Sequence, residues 1–292
     1  MISLIGFAVV TCSVIIGFLW HGGHLMVLFQ PSEFLIIGGC AGGMLLVSVN
    51  PKVLKELLNQ IKGILGAGYT PESYKNLLIM LYEVFDIARR DGIVALEAHV
   101  EHPEESEIMK KYPEFISDHN AVNFFVDTMR LIISGGMSSH DLEALIDEDL
   151  ETLHEERSEP PMILAKVGDA LPGFGIVAAV LGVVITMGAI GGPAEEIGHK
   201  VAAALVGTFL GVLGAYGFVQ PLATNLEGQV KANSRYYICM KQAMLGFFKG
   251  MAPSIAVELG RRSIYEDMRP SFLELEQSCR ASIRQKGAEK GA

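Results

Sequence analysis

"GDALPGFGIVAAVLGVVITMGAIGG", residues 168–192, decides the fold class. Its last acid is Asp169, and from Leu171 to Gly192 no side chain ionises. A helix needs roughly 20 apolar residues to cross a hydrocarbon core about 30 Å thick, and this stretch supplies one over 172–191. A second follows at 201–220, and two precede it at 2–20 (ISLIGFAVVTCSVIIGFLW) and 34–49 (FLIIGGCAGGMLLVSV). The 34–49 segment is a little short for a span. Uncharged neighbours extend it, and the charge-free segment upstream favours a span over a buried soluble helix.

The rest of the chain agrees. It has 292 residues, 50% of them hydrophobic, and its 19% charged residues fall below the roughly 25% of soluble domains. The deficit is uneven. Residues 1–50 carry a single charge, Glu33, and residues 171–222 carry only Glu195, Glu196 and Lys200. Two apolar blocks alternating with two polar ones read as an all-α integral membrane protein. The sequence predicts spans one and two in 1–50 and a cytoplasmic helical domain in 51–170. Spans three and four follow in 171–222, with a helical tail in 223–292 whose end, RQKGAEKGA, is expected to be disordered. The N-terminus lacks a basic n-region and a clear cleavage signal, so its apolar stretch is read as a retained span.

The loops between spans one and two and between three and four are short. Four spans place the 51–170 loop and the tail on one side. Of 23 Lys and Arg, 11 lie in that loop and 11 in the tail. Lys52, Lys55, Lys62, Lys166, Lys231 and Arg235 flank the spans, and the positive-inside rule puts them, and both termini, in the cytoplasm.

Composition also excludes functions. A net charge of −10 gives no nucleic-acid footprint. Cys12, Cys40, Cys239 and Cys279 are scattered and form no C-x-x-C pair, so free thiols are expected, with no disulfide framework or zinc site. "GFGIVA" at 173–178 imitates a dinucleotide fingerprint, but it follows a proline and opens a span instead of following a strand. His21 and His24 in an outer loop are a weak metal candidate, and "HEERSE" at 154–159 lacks the second histidine of a zinc protease. No nucleophile elbow, P-loop or acid pair points to an enzyme, and no cofactor is implied.

Small residues recur one turn apart in the spans: Gly38 with Gly42, Gly39 with Gly43, Ala178 with Gly182, and Gly207 with Gly211. Such stripes let helix backbones approach closely in lipid, either within a four-helix unit or between copies of the chain. Pro172 opens span three and Pro221 closes span four, both at the cytoplasmic mouth. They are either helix punctuation or a hinge. No span as bounded above holds an Asp, Glu, Lys, Arg or His. Ion-translocating proteins usually keep one at depth, so either no ion moves or a partner supplies the acid. Thr11, Ser13, Thr186, Thr208 and Tyr216 are the polar groups left, and a buried Thr usually bonds back to its own helix.

Within 73–102 the residues Leu77, Leu78, Leu81, Val84, Phe85 and Ala88, then Leu96 after Gly92, recur at helical spacing. Residues 120–134 form a second amphipathic helix, stopped by Gly135 and Gly136. Ser138 and Asp141 resemble a capping box for a helix over about 140–157, ended by Pro160 and Pro161. Arg89, Arg90 and Glu97 flank Gly92, and Asp147, Glu148, Asp149 and Glu151 make an acidic run. Each group is either a solvated helix face or a docking surface for another protein.

The pieces "GDALPGFGIVAAVLGVV", "VGTFLGVLGAYGFVQPLA", "ESEIMKKYP", "RLIISGGM", "EALIDEDLE" and "PSIAVELGRRSIYEDMRPSFLELE" together resemble the MotA/TolQ/ExbB family of ion-driven energisers, and within it the MotA branch of flagellar stators. The resemblance covers nearly the whole chain. It implies a homopentameric ring around a MotB-like single-span partner that carries the ion-binding Asp, in the bacterial inner membrane, with torque passed to the rotor protein FliG. The smooth face of span three would meet the partner. The family's two functional prolines fall on Pro172 and Pro221, its ion-path threonine on Thr208, and its rotor-facing pair on Arg89 and Glu97, with Arg90 the register alternative. Sodium-driven relatives tend to carry Thr where this chain has Ala179, which points to protons. The outer loop "TMGAIGGPAEEIGHK" departs from the family pattern. A TolQ- or ExbB-like energiser of outer-membrane transport is the nearest alternative, although those usually have three spans. A four-span scaffold without transport is the other, and it would be a stable monomer.

Overall fold

The structure is a computed structural model that describes residues 2–64, 68–188, 191 and 193–289. Among these residues every regular element is helical. The α-helices in chain order are α1 (Ile2–Trp20), α2 (Pro31–Ser48), α3 (Pro51–Gly63), α4 (Pro71–Asp91), α5 (Glu97–Glu101), α6 (Pro113–Ser117), α7 (His119–Ser134), α8 (Ser139–Met187), α9 (Ala194–Leu213), α10 (Gln220–Phe248), α11 (Pro253–Arg262) and α12 (Phe272–Glu289). A π-helical segment, Gly214–Val219, joins α9 to α10. Among the described residues four helices are long and apolar enough to cross a membrane: α1, α2, α8 and the continuous run Ala194–Phe248.

Local chemistry sets the helix ends. Pro31, Pro51 and Pro71 each occupy a first turn, where the missing N–H would have no partner anyway. The Asn50 side chain accepts from the Val53 N–H at 3.0 Å, and Thr70 and Ser73 cap α4 reciprocally. Gly92, at φ 90, ends α4, and Gly135, at φ 67, ends α7. These are positive-φ, extended-ψ conformations that are essentially confined to glycine and cost a residue with a Cβ about 1–3 kcal/mol. Ser138 Oγ accepts from the Asp141 N–H at 3.2 Å, as its spacing to Asp141 implied.

Pro160 and Pro161 do not end that last helix. It runs unbroken from Ser139 to Met187, with Pro160, Pro161 and Pro172 all inside it. Pro161 has no N–H to offer the carbonyl of Arg157, four residues back. Gln60 supplies the donor instead, with Nε2 3.1 Å from Arg157 O. Pro172 therefore does not start its helix, nor does Pro221 end one, since α8 begins at Ser139 and α10 continues to Phe248. The tail's expected disorder over 284–292 meets a helix that runs through Glu289, and Lys290, Gly291 and Ala292 lie outside the described residues.

The chain divides into two compact units, Met1–Gly66 with Glu156–Gln229, and Ala67–Glu155 with Val230–Ala292. The first unit holds only small apolar clusters. Ile37, Leu171, Ala178 and Ala215 form one, and Leu57 of α3 with Leu164, Ala223 and Leu226 forms another. The second unit closes a larger core around α4. Leu77, Leu78, Leu81, Val84, Phe85, Ala88 and Leu96, the positions the helical spacing picked out, are all buried there. Phe85 stacks on Phe247 with centroids 4.5 Å apart, and Tyr69 stacks on Tyr236 at 3.8 Å.

Candidate functional site

The site in the membrane unit is a crossing built from glycine and alanine. A side-chain carbon added at Gly175 of α8 would lie 2.8 Å from Gly207 O and 3.0 Å from Gly211 Cα. One added at Gly211 of α9 would lie 2.7 Å from Leu171 O and 2.8 Å from Gly175 Cα. One at Gly182 would lie 2.8 Å from Ala204 Cβ. Ala178 is fully buried in the same seam. The stripes of α8 and α9 are therefore consumed within one chain. Gly175 was not singled out from sequence, although it lies at helical spacing before Ala178 and Gly182, in line with them.

The α2 stripe behaves differently. Side-chain carbons at Gly38, Gly39, Gly42 and Gly43 would meet nothing within 4 Å, and all four residues are exposed. The face of α8 turned away from α9 is also open: Ile176, Val180, Val183 and Val184 are exposed, and Ala179 and Thr208 are half-buried. Thr186 and Thr11 bond back to their own helices, to Gly182 O at 2.7 Å and Phe7 O at 2.8 Å.

The two prolines of the resemblance come close to a shared tie. Gln220, the residue before Pro221, donates from Nε2 to Ala165 O at 3.1 Å and to Asp169 Oδ1 at 2.6 Å. This joins α10 to the turn of α8 that precedes Pro172. Pro221 itself follows the π-helical segment Gly214–Val219. It has no N–H and its ring crowds the carbonyl of Gly217, and an extra residue in that turn relieves the crowding. Pro172 is half-buried and Pro221 exposed. Neither glutamine was anticipated, because a polar residue's partner across helices leaves no mark on local spacing.

Glu33 is the largest departure from expectation. The sequence placed it just outside span two, but α2 begins at Pro31 and takes it inside. The residue is 5% exposed, and Oε2 is buried with no hydrogen-bond partner. A carbon added at Gly207 would overlap that oxygen, so the missing side chain at Gly207 makes the room it occupies. A spanning helix of this chain thus does hold an acid.

In the second unit, Arg89 and Arg90 lie in the last turn of α4 and Glu97 is the first residue of α5. All three are exposed. Arg90 pairs with Asp86 at 2.8 Å, and Val94, between the arginines and Glu97, is 67% exposed. Other charges hold the unit together. Glu83 is buried and bonded by Lys111 Nζ and Tyr112 OH, both at 3.1 Å, which gives "KKYP" a structural task. Asp147 of the acidic run pairs with the buried Lys241, so one member of that run neutralises a buried cation. Arg261 and Arg262 both reach Glu258, at 2.7 and 2.8 Å, and hold its carboxyl below the usual range. Burial pushes the Cys279 thiol up to about 12. Among the described residues no cluster of His, Cys, Asp and Glu could hold a metal ion.

Comparison with known proteins covers both units. The family described as Motility protein A N-terminal matches residues 4–92, and the MotA/TolQ/ExbB proton channel family matches residues 117–237. Motility protein A of Salmonella typhimurium is 44% identical over 282 residues, 96% of each chain. Motility protein A of Escherichia coli is 45% identical over the same 96% of each chain. Chemotaxis protein LafT of Vibrio parahaemolyticus is 38% identical, over 95% of this chain and 98% of its own. The solved structure of C. jejuni MotAB has the same fold, with a TM-score of 0.74 at 23% identity over 92% of this chain and 98% of that one. The flagellar MotAB stator complex from Bacillus subtilis superposes with a TM-score of 0.70 at 22% identity, over 88% of this chain and 92% of that one.

Proposed function

This chain belongs to the Motility protein A family, the multi-pass inner-membrane stator subunits of the flagellar motor within the MotA/TolQ/ExbB proton channel family, and from that premise we propose how its own residues share the work. Five copies form a ring around a MotB-like partner, which brings one span and the ion-binding Asp. The open face of α8, with Ala179 and neighbouring Thr208 of α9, lines the path between ring and partner. The observation that carries this is the contrast in the membrane unit. Its small residues on α8 and α9 are spent on each other, yet the opposite face of α8 stays apolar, open and without a charge of its own.

Protons are the coupling ion, since Ala179 stands where sodium-driven relatives tend to carry Thr. Both termini lie in the cytoplasm. Arg89, Arg90 and Glu97, around exposed Val94, meet the rotor protein FliG as a charged rim with an apolar centre, the arrangement in which rim charges set register and approach. One charge crossing 100 mV releases about 2.3 kcal/mol, so work is taken in many small steps. Pro172 and Pro221 set the step, because each weakens its helix beside the Gln220 tie.

The deciding experiment is cryo-EM of the chain co-purified with its single-span partner. A five-fold ring enclosing partner helices, with their Asp level with Thr208, is expected. A monomer, or a ring that recruits no partner, would overturn the proposal. Strains carrying Pro172→Ala or Pro221→Ala at normal expression should assemble stators yet swim poorly. Full torque in both would refute the role given to the prolines.

A further inference from the structure

The acid inside α2 has no place in that account, which assigns proton binding to the partner alone. We propose that Glu33 is a second proton-binding site of the channel, carried by this chain and seated in the helix wall behind Ala179 and Thr208. The inference rests on the stator reading for its source of protons, but its geometry stands apart.

Three observations converge. Glu33 is 5% exposed. Its Oε2 has no donor. It lies over Gly207, where an added carbon would also lie 3.2 Å from Ala178 Cβ and 3.2 Å from Ala179 N. The carboxyl therefore sits at the α8–α9 crossing, level with the residues that the resemblance puts beside the ion path. Ala178 precedes Met187, the end of α8, by nine residues, a rise of roughly 14 Å. Glu33 itself is the third residue of α2, inside that helix's candidate spanning window, and an ionisable group in a spanning segment is a functional-site candidate by default.

The surroundings dictate its state. From Pro172 to Met187 α8 carries no charged side chain. The charged and titratable groups of α9 are Glu195, Glu196, His199 and Lys200, and Lys200 pairs with Glu196 at 2.9 Å. Lys200 lies seven residues before Gly207, roughly 10 Å along the helix. In the turn before α2, His24 precedes Leu25–Val27. An unpaired carboxylate among apolar neighbours is costly, whereas the protonated acid is an ordinary buried polar group. Glu33 thus holds a proton while seated on Gly207. When the seam loosens and water reaches it, the O–H bond breaks, the proton passes to that water, and a carboxylate remains to take up the next one.

The test uses the intact complex with its partner in proteoliposomes, measuring proton uptake alongside infrared difference spectra. Glu33→Gln keeps the shape and the neutral form but cannot exchange a proton. Assembly should be normal, proton flux should fall about tenfold or more, and a protonated-carboxyl band that responds to imposed pH should vanish. Glu33→Asp should restore much of the flux and shift that band. Flux and spectrum in Glu33→Gln equal to wild type would overturn the site, while a wild-type complex that passes no protons would overturn the stator reading instead. If Glu33→Gln fails to assemble, wild type against Glu33→Asp decides. A pH-responsive carboxyl band that moves between the two supports the site, and none that moves refutes it.

Discussion

The two units of this chain bury their surfaces in opposite ways. The second encloses Phe85, Phe125, Tyr237 and many aliphatic side chains completely, and pairs its inward charges Glu83 and Lys241. The first leaves α1 without a buried residue in its spanning window and keeps the glycines of α2 open. Water drives the closure of the second unit by the hydrophobic effect. Between helices in lipid that drive is missing, and only close packing and hydrogen bonds remain. A membrane unit can therefore be stable and still present unfilled faces. The contrast teaches where function should be sought: charges in the closed unit are mostly structural, while open surfaces in the other await other helices.

The largest effect that sharpens this contrast is expected in the closed core. Phe85→Ala removes a ring stacked on Phe247 and should cost about 3–5 kcal/mol. Thermal unfolding of the detergent-purified protein would show it whether or not the partner is present. Next comes the seam of α8 and α9. Gly211→Ala drives a methyl into Leu171 O and Gly175 Cα and should cost about 1–3 kcal/mol. Gly42→Leu, by contrast, should leave chain stability within about 0.5 kcal/mol while weakening ring assembly in native mass spectrometry. Equal stability losses in the two variants would break the distinction between a filled and an open stripe.

Smaller still in stability, though not in function, are the exposed charges. Arg89→Glu or Glu97→Lys should change unfolding by less than about 0.5 kcal/mol and leave membrane assembly intact. Swimming should weaken, and partly return when rotor charges are reversed. Unchanged swimming in both variants would remove these residues from the rotor surface. The smallest effect concerns pH. Arg261 and Arg262 hold the Glu258 carboxyl down, so its contribution is present above the ordinary carboxylate value. It is lost as pH falls through the lowered one. Glu258→Gln should cost about 1–2 kcal/mol near neutral pH and almost nothing in acid, a difference that unfolding curves at the two pH values would reveal.

Much of the fold was legible in advance because one-dimensional signals carry it. Apolar runs of membrane length marked four candidate spans, 3.6-residue spacing marked the buried face of α4, and Gly135 and Ser138 punctuated helices where their chemistry requires. The prolines misled for a physical reason. A proline's local effect is to free a carbonyl and end a helix, and the rule fails when a distant side chain supplies the missing donor, as Gln60 does at Arg157 O.

By itself, then, the sequence determined an all-helical membrane protein with four candidate spanning helices, the buried face of its central helix and the residues of its family resemblance, because each depends on near neighbours in the chain. Tertiary structure alone decided which glycine stripe is filled and which is open, which charges are paired, and that Glu33 lies inside the wall against Gly207. Those outcomes depend on what one helix presents to another, and residues far apart in sequence carry no local sign that they will meet.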